Sequence, residues 1–136
     1  MDRKAIVITR SEDGKRCIAV DQSNYEVILA FLGADKRHKS KFRDIANVIL
    51  NGLRNTELYD KEEPDAKSKG VRAMKFFKGQ ENARIYCREV TREDKTFVII
   101  ASELLESKKT QKINQKILNI IHRVASYDYK EIIDPS

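Results

Sequence analysis

The chain lacks the features that mark several large protein classes. It has only two cysteines, Cys17 and Cys87, far apart and each inside an apolar, strand-like run. Neither has a Cys or His neighbour at metal-ligand spacing, which leaves small buried thiols in a reducing cytosol as the reading. No stretch approaches the roughly 18 apolar residues that span a bilayer. Met1-Asp2-Arg3-Lys4 leads into an apolar run too short for a signal peptide. A cytoplasmic protein with no membrane contact is expected. The chain shows no repeat and no low-complexity tract. A Gly-rich phosphate loop, a catalytic carboxylate pair and a Ser-His-Asp order are also missing, and no cofactor or metal is expected.

What is present is charge. Among 136 residues, 27 Lys and Arg face 21 Asp and Glu, a formal net charge of +6. With 40% hydrophobic and 35% charged residues, the composition suits one folded domain over 1–136 rather than a disordered chain. A basic excess of this size favours an anionic partner, nucleic acid first.

Ala5–Thr9 and Arg16–Val20 are short apolar runs around Ser11-Glu12-Asp13-Gly14, which predicts a hairpin. Ser23-Asn24-Tyr25-Glu26 has capping-box form, and Tyr25, Ile28, Leu29 and Leu32 follow at helical spacing, with Gly33 as a stop. Asp35–Lys41 reads as a charged connector. Phe42, Ile45, Ala46, Ile49, Leu50 and Leu53 form the stripe of a second helix, antiparallel to the first. The polar stretch 55–68, acidic in its middle and containing Pro64, reads as a loop. Strands are expected over about 71–77, 83–90 and 96–102. The last is apolar at every position, as suits a central strand covered on both faces. Ile113, Ile117, Ile120, Ile121 and Val124 predict a third helix, and the tail 127–136 adds a strand or packs as an extension. The fold class is α+β, with an N-terminal hairpin and a helical hairpin on a small antiparallel sheet, then a C-terminal helix.

The stretch Lys69–Lys116 carries the strongest functional signal. Gly70-Val71-Arg72-Ala73-Met74 is followed by Ala83-Arg84-Ile85-Tyr86, then Phe97-Val98-Ile99-Ile100, then Lys108-Lys109-Thr110-Gln111-Lys112. Cations thread the first two runs and cluster past the third, the footprint of a polyanion surface. Strand alternation puts Arg84, Tyr86 and Arg88 on one face, with Ile85 and Cys87 on the other. Arg72 and Lys75 fall on opposite faces unless a bulge intervenes.

These runs, in this order, resemble the RelE/ParE toxin superfamily of bacterial toxin–antitoxin modules, nearest its HigB-like, phage-derived branch. The resemblance covers about residues 22–126, leaving 1–21 as an N-terminal extension and 127–136 as a tail. Departures from the pattern are the long segment before Ser23, the long acidic loop, and Glu103 and Glu106 ahead of the lysines. The resemblance implies a RelE-like fold and a metal-independent endoribonuclease (an mRNA interferase) that cleaves messenger RNA, on the ribosome, by attack of the ribose 2′-hydroxyl on the adjacent phosphate. It also implies a cognate antitoxin that covers the basic face. Arg72, Arg84, Lys108 and Lys109 match its catalytic cations, while Lys75, Tyr86, Arg88, Lys112 and Tyr129 are candidate RNA contacts. Two alternatives stand beside this: a non-enzymatic module that binds nucleic acid or protein on the same fold, and a ParE-like gyrase inhibitor.

Overall fold

The computed structural model describes residues 2–77, 82–106 and 114–135. Its first element is the expected hairpin: β1 (Asp2–Arg10) pairs antiparallel with β2 (Arg16–Asp21), across a turn that places Gly14 at φ +72°. The helix that follows starts differently from its capping-box reading. Asp21, not Ser23, is the cap. Its carboxylate accepts the Ser23 and Asn24 amides and opens a 3₁₀ turn, Gln22–Asn24, that runs into α1 (Tyr25–Leu32). Gly33 ends α1 as expected.

The charged stretch after Gly33 is helical, not a connector. α2 (Lys36–Leu50) is capped by Asp35, whose carboxylate accepts the His38 amide, and its buried face is Ile45, Val48 and Ile49. Lys and Arg are good helix formers, so a cap and an apolar seam suffice to carry the helix back through residues 36–41. Leu53 lies past its end and is 57% exposed.

Residues 55–68 are likewise more than a loop. They hold β3 (Tyr59–Lys61) and a 3₁₀ turn at Ala66–Ser68. Three residues give no readable alternation. β3 pairs antiparallel with β4 (Arg72–Lys75), β4 with β5 (Arg84–Thr91), and β5 with β6 (Phe97–Leu105). β6 is a central strand, with Val98–Ser102 buried throughout. β2 lies parallel to β6 on its other side. After α3 (Gln115–Ala125), β7 (Asp128–Ile133) runs parallel to β1.

The sheet is therefore mixed and seven-stranded among the described residues, in the order β3-β4-β5-β6-β2-β1-β7, where the sequence led to three antiparallel strands. The N-terminal segment and the tail supply three of its seven strands, β1, β2 and β7, and are not appendages to it. α3 covers one face through Ile117, Ile120, Ile121 and Val124, packed on Val7, Ala19, Tyr86, Val98 and Ile100. α1 and α2 cover the other through Ile28, Leu32, Ile45 and Ile49, packed on Ile18, Val20, Ile85, Cys87 and Ile99. No helix among the described residues is long and apolar enough to cross a membrane.

Candidate nucleic-acid interface

β5 sorts the cations. Arg84 stands opposite Lys75, Tyr86 opposite Ala73, and Cys87 opposite Arg72. Directly opposed residues share a face. Arg84, Tyr86, Arg88 and Lys75 thus lie on the α3 side, and Arg72 on the α1–α2 side. No bulge in the β4–β5 pair brings Arg72 and Arg84 into one site. Arg72 instead binds the edge of the sheet together. Its Nη1 donates to Glu63 at 2.7 Å, and its Nε lies 3.5 Å from Glu89, which also accepts the Tyr59 hydroxyl at 2.8 Å.

On the α3 side Arg84 is almost enclosed, 11% exposed, and donates from Nη1 to Glu62 at 2.9 Å. Its Nε, the Tyr86 hydroxyl and the Arg88 Nε are buried with no hydrogen-bond partner among the described residues. All three can donate, and they come from alternate residues of one strand, roughly 7 Å apart in sequence steps of about 3.4 Å. Burial, more than the nearby Glu62 charge, pushes the Tyr86 hydroxyl well above its ordinary pKa. The Tyr86 ring is fully buried, so it packs under α3 and cannot stack on a base. Lys75 is anchored too, donating to the Thr56 carbonyl at 3.0 Å and lying 3.9 Å from Asp60. Arg88 reaches the Lys69 carbonyl at 3.4 Å, over Gly70. A Cβ on Gly70 would lie 2.9 Å from Arg88 Nη1, which explains the Gly of the Gly-Val-Arg run.

β6 ends with Leu105 opposite Arg84. The chain therefore leaves the sheet beside the candidate cation. Lys108, Lys109 and Lys112 lie outside the described residues.

Tyr129, a candidate RNA contact by sequence, is buried. Its hydroxyl donates to Asp21 and lies 2.7 Å from the Ser102 hydroxyl, inside the core. These contacts belong to a polar network with no signature in the residue pattern. The fully buried Asp21 carboxylate takes Arg3 Nε at 2.6 Å and Nη2 at 3.0 Å besides Tyr129 and the two helix-capping amides. A bulge places Ser102 as the extra residue of β6 against Tyr86 and Cys87, and its carbonyl accepts Asn24 Nδ2 at 2.7 Å. The Arg3 guanidinium stacks 3.8 Å over the Tyr127 ring, and the Tyr127 hydroxyl bonds Glu103, which is forked by Arg123. Glu103 thus ties α3 to the sheet. His122 pairs with Asp65 at 2.8 Å and so ties α3 to the 3₁₀ turn, while the Ser68 hydroxyl donates to that same carboxylate rather than to the histidine.

Among the described residues no group of three or more His, Cys, Asp or Glu side chains could hold a metal ion. Comparison of the chain with family models, with curated proteins and with solved structures found no match.

Proposed function

We propose that the protein is a toxin of the RelE/HigB type: an endoribonuclease that cleaves messenger RNA by 2′-hydroxyl attack, with Arg84 as the cation on the phosphate under attack. The observation that carries this reading is the unpartnered Nε of Arg84, one of three buried donors on one face of β5; of the other two, Arg88 Nε follows it along the strand and the Tyr86 hydroxyl is closed in under α3, out of reach of an RNA. Buried donors left unpaired cost free energy, so in a folded protein they call for an explanation such as an absent acceptor. Phosphate oxygens are such acceptors. Arg84 is the member best matched to the chemistry, because a guanidinium can bond two oxygens of one phosphate and stabilise the charge that grows on them in the transition state. To do so it must exchange Glu62 for the substrate. Lys108 and Lys109, which follow the strand that ends opposite Arg84, are the groups for proton transfer in this proposal. An antitoxin that covers the Arg84 face would hold the enzyme inactive.

Growth tests the reading. Expression of the intact protein should arrest cells and Arg84→Ala should restore growth, whereas harmless expression of the folded protein counts against a toxin. A second reading, RNA binding without cleavage, is favoured by the carboxylate already lodged on Arg84. It predicts salt-sensitive RNA binding with intact RNA recovered in EDTA.

A further inference from the structure

The face of α2 turned away from the sheet is a second cationic feature, built differently from the Arg84 site. At about 100° per residue, Lys36, Ser40, Arg43 and Asn47 fall in one line along the helix, opposite the buried Ile45 and Ile49, and Lys39 flanks the line. All five side chains are exposed. α2 holds five Lys or Arg against one acid, Asp44, so this charge is not balanced within the helix. Nor is it balanced from outside. Lys36, Lys39 and Arg43 have no ion-pair partner among the described residues, whereas Arg10, Arg72, Arg84, Arg92 and Arg123 each sit on a carboxylate. Arg37 lies off the line, 3.8 Å over the Phe77 ring.

This placement costs the helix stability. The first turn of α2 carries no acid, though the dipole there favours anions and opposes cations. The capping Asp35 is engaged by the His38 amide and ring, not by the lysines. Lys36 and Lys39 therefore gain only from an anion brought to the protein.

The rest of the face selects among anions. It presents no apolar side chain; the large hydrophobics that stand exposed among the described residues, Val27 and Leu53, lie outside α2. A protein partner is held at its centre by apolar and aromatic anchors, and a helix lying on a bilayer buries an apolar side. This face offers neither. It also has no aromatic ring on which an unpaired base could stack. Charge and hydrogen bonding are what it offers, and these read a nucleic-acid backbone rather than bases. The groups between the cations suit that task. Asn51 Nδ2 donates to Asn47 Oδ1 at 2.8 Å, which leaves the Asn47 NH₂ group to donate elsewhere.

We propose that this face of α2 docks on the backbone of double-helical RNA. Lys36, Lys39 and Arg43 take phosphates, and Ser40 and Asn47 take 2′-hydroxyls, which the shallow minor groove of an RNA duplex displays. The inference rests on RNA as the partner in the reading above but not on cleavage. α2 and Arg84 lie on opposite sides of the sheet, so the helix holds a folded part of the RNA while Arg84 meets the strand to be cut.

The test is fluorescence anisotropy of a labelled RNA duplex of about 16 base pairs, the span of a shape-reading RNA module, on the full chain. The triple change Lys36→Gln, Lys39→Gln, Arg43→Gln keeps helix propensity and removes no packing, so the thermal midpoint should not fall. The slope of log K against log salt should drop by about 2.7, at roughly 0.9 for each of three phosphate contacts. Duplex affinity should fall at least about tenfold, and affinity for a single strand of the same sequence, whose site is Arg84, by less than about threefold. An unchanged slope, or equal losses on duplex and single strand, would overturn the proposal. So would a DNA duplex of the same sequence bound as tightly as the RNA, or displacement of the RNA by poly-glutamate at equal charge concentration. The cleavage reading fails separately: a duplex bound with these dependences by a protein that cuts no RNA leaves the α2 face standing, while RNA cut by a protein whose duplex binding ignores the triple change removes the face and leaves Arg84.

Discussion

Arg84 and Glu62 face each other at 2.9 Å on the α3 side of the sheet, both almost closed off from solvent. Glu62 follows the edge strand β3, so a stretch that reads as a polar loop supplies the carboxylate where an RNA phosphate would bind. The pair makes the candidate site self-neutralised in the free protein.

Glu62→Gln keeps the shape and removes the charge. RNA affinity should rise several-fold, because the substrate no longer displaces an anion, and a filter-binding titration at fixed salt reads it. Stability should fall by about 1–3 kcal/mol in urea, since an enclosed guanidinium loses its partner. A fall in stability with no gain in affinity would place Arg84 in a purely structural role.

Gly70 sits at φ +90° with Arg88 against it. Gly70→Ala therefore meets two costs, the left-handed backbone at about 1–2 kcal/mol and the collision with the guanidinium. Adding Arg88→Ala removes only the collision. The double variant should recover part of the lost urea midpoint but not all of it; full additivity of the two single changes would show that Arg88 does not occupy the space above Gly70.

Acid should loosen the attachment of α3. Burial pushes the Glu103 carboxyl up, but Arg123 and Tyr127 outweigh it and leave it below its ordinary value, while the Ser68 hydroxyl and then His122 hold Asp65 low. Groups depressed in the folded state contribute stability that is complete above their unfolded values, near 4.3 for Glu and 3.9 for Asp, and that is lost as pH falls through the folded values. The thermal midpoint should therefore drop below about pH 4.3, and Glu103→Gln should make that acid limb shallower. An unchanged limb in the variant would mean that other carboxylates set it.

The sequence was legible where signals are local. The Asp13-Gly14 hairpin, the stripe of α3 and the uninterrupted apolar run of β6 all stand in the structure, as does the alternation that puts Arg84 and Arg88 together. It was silent where the cause is distant. The parallel pairing of β2 with β6 joins strands separated by both helices and three other strands, and β7 finds β1 only after the whole chain is folded. Asp21 shows why buried polar sites escape such reading. An aspartate ending an apolar strand looks like the start of a turn, and only folding reveals that Arg3 and Tyr129 converge on it. The separation of Arg72 from Arg84 has a simpler reason. A motif match assigns residues to a site without regard to strand face, and the β4–β5 register turns this side chain away from Arg84.

The most direct measurement is cleavage of a 5′-labelled messenger RNA by the purified protein in EDTA, with and without ribosomes, followed by analysis of the new 3′ ends. The account predicts 2′,3′-cyclic phosphate ends and a rate that falls at least about 100-fold in Arg84→Gln, the loss typical of a charge-stabilising donor. RNA left intact by the folded protein under both conditions, or cleavage that is indifferent to Arg84, would contradict it.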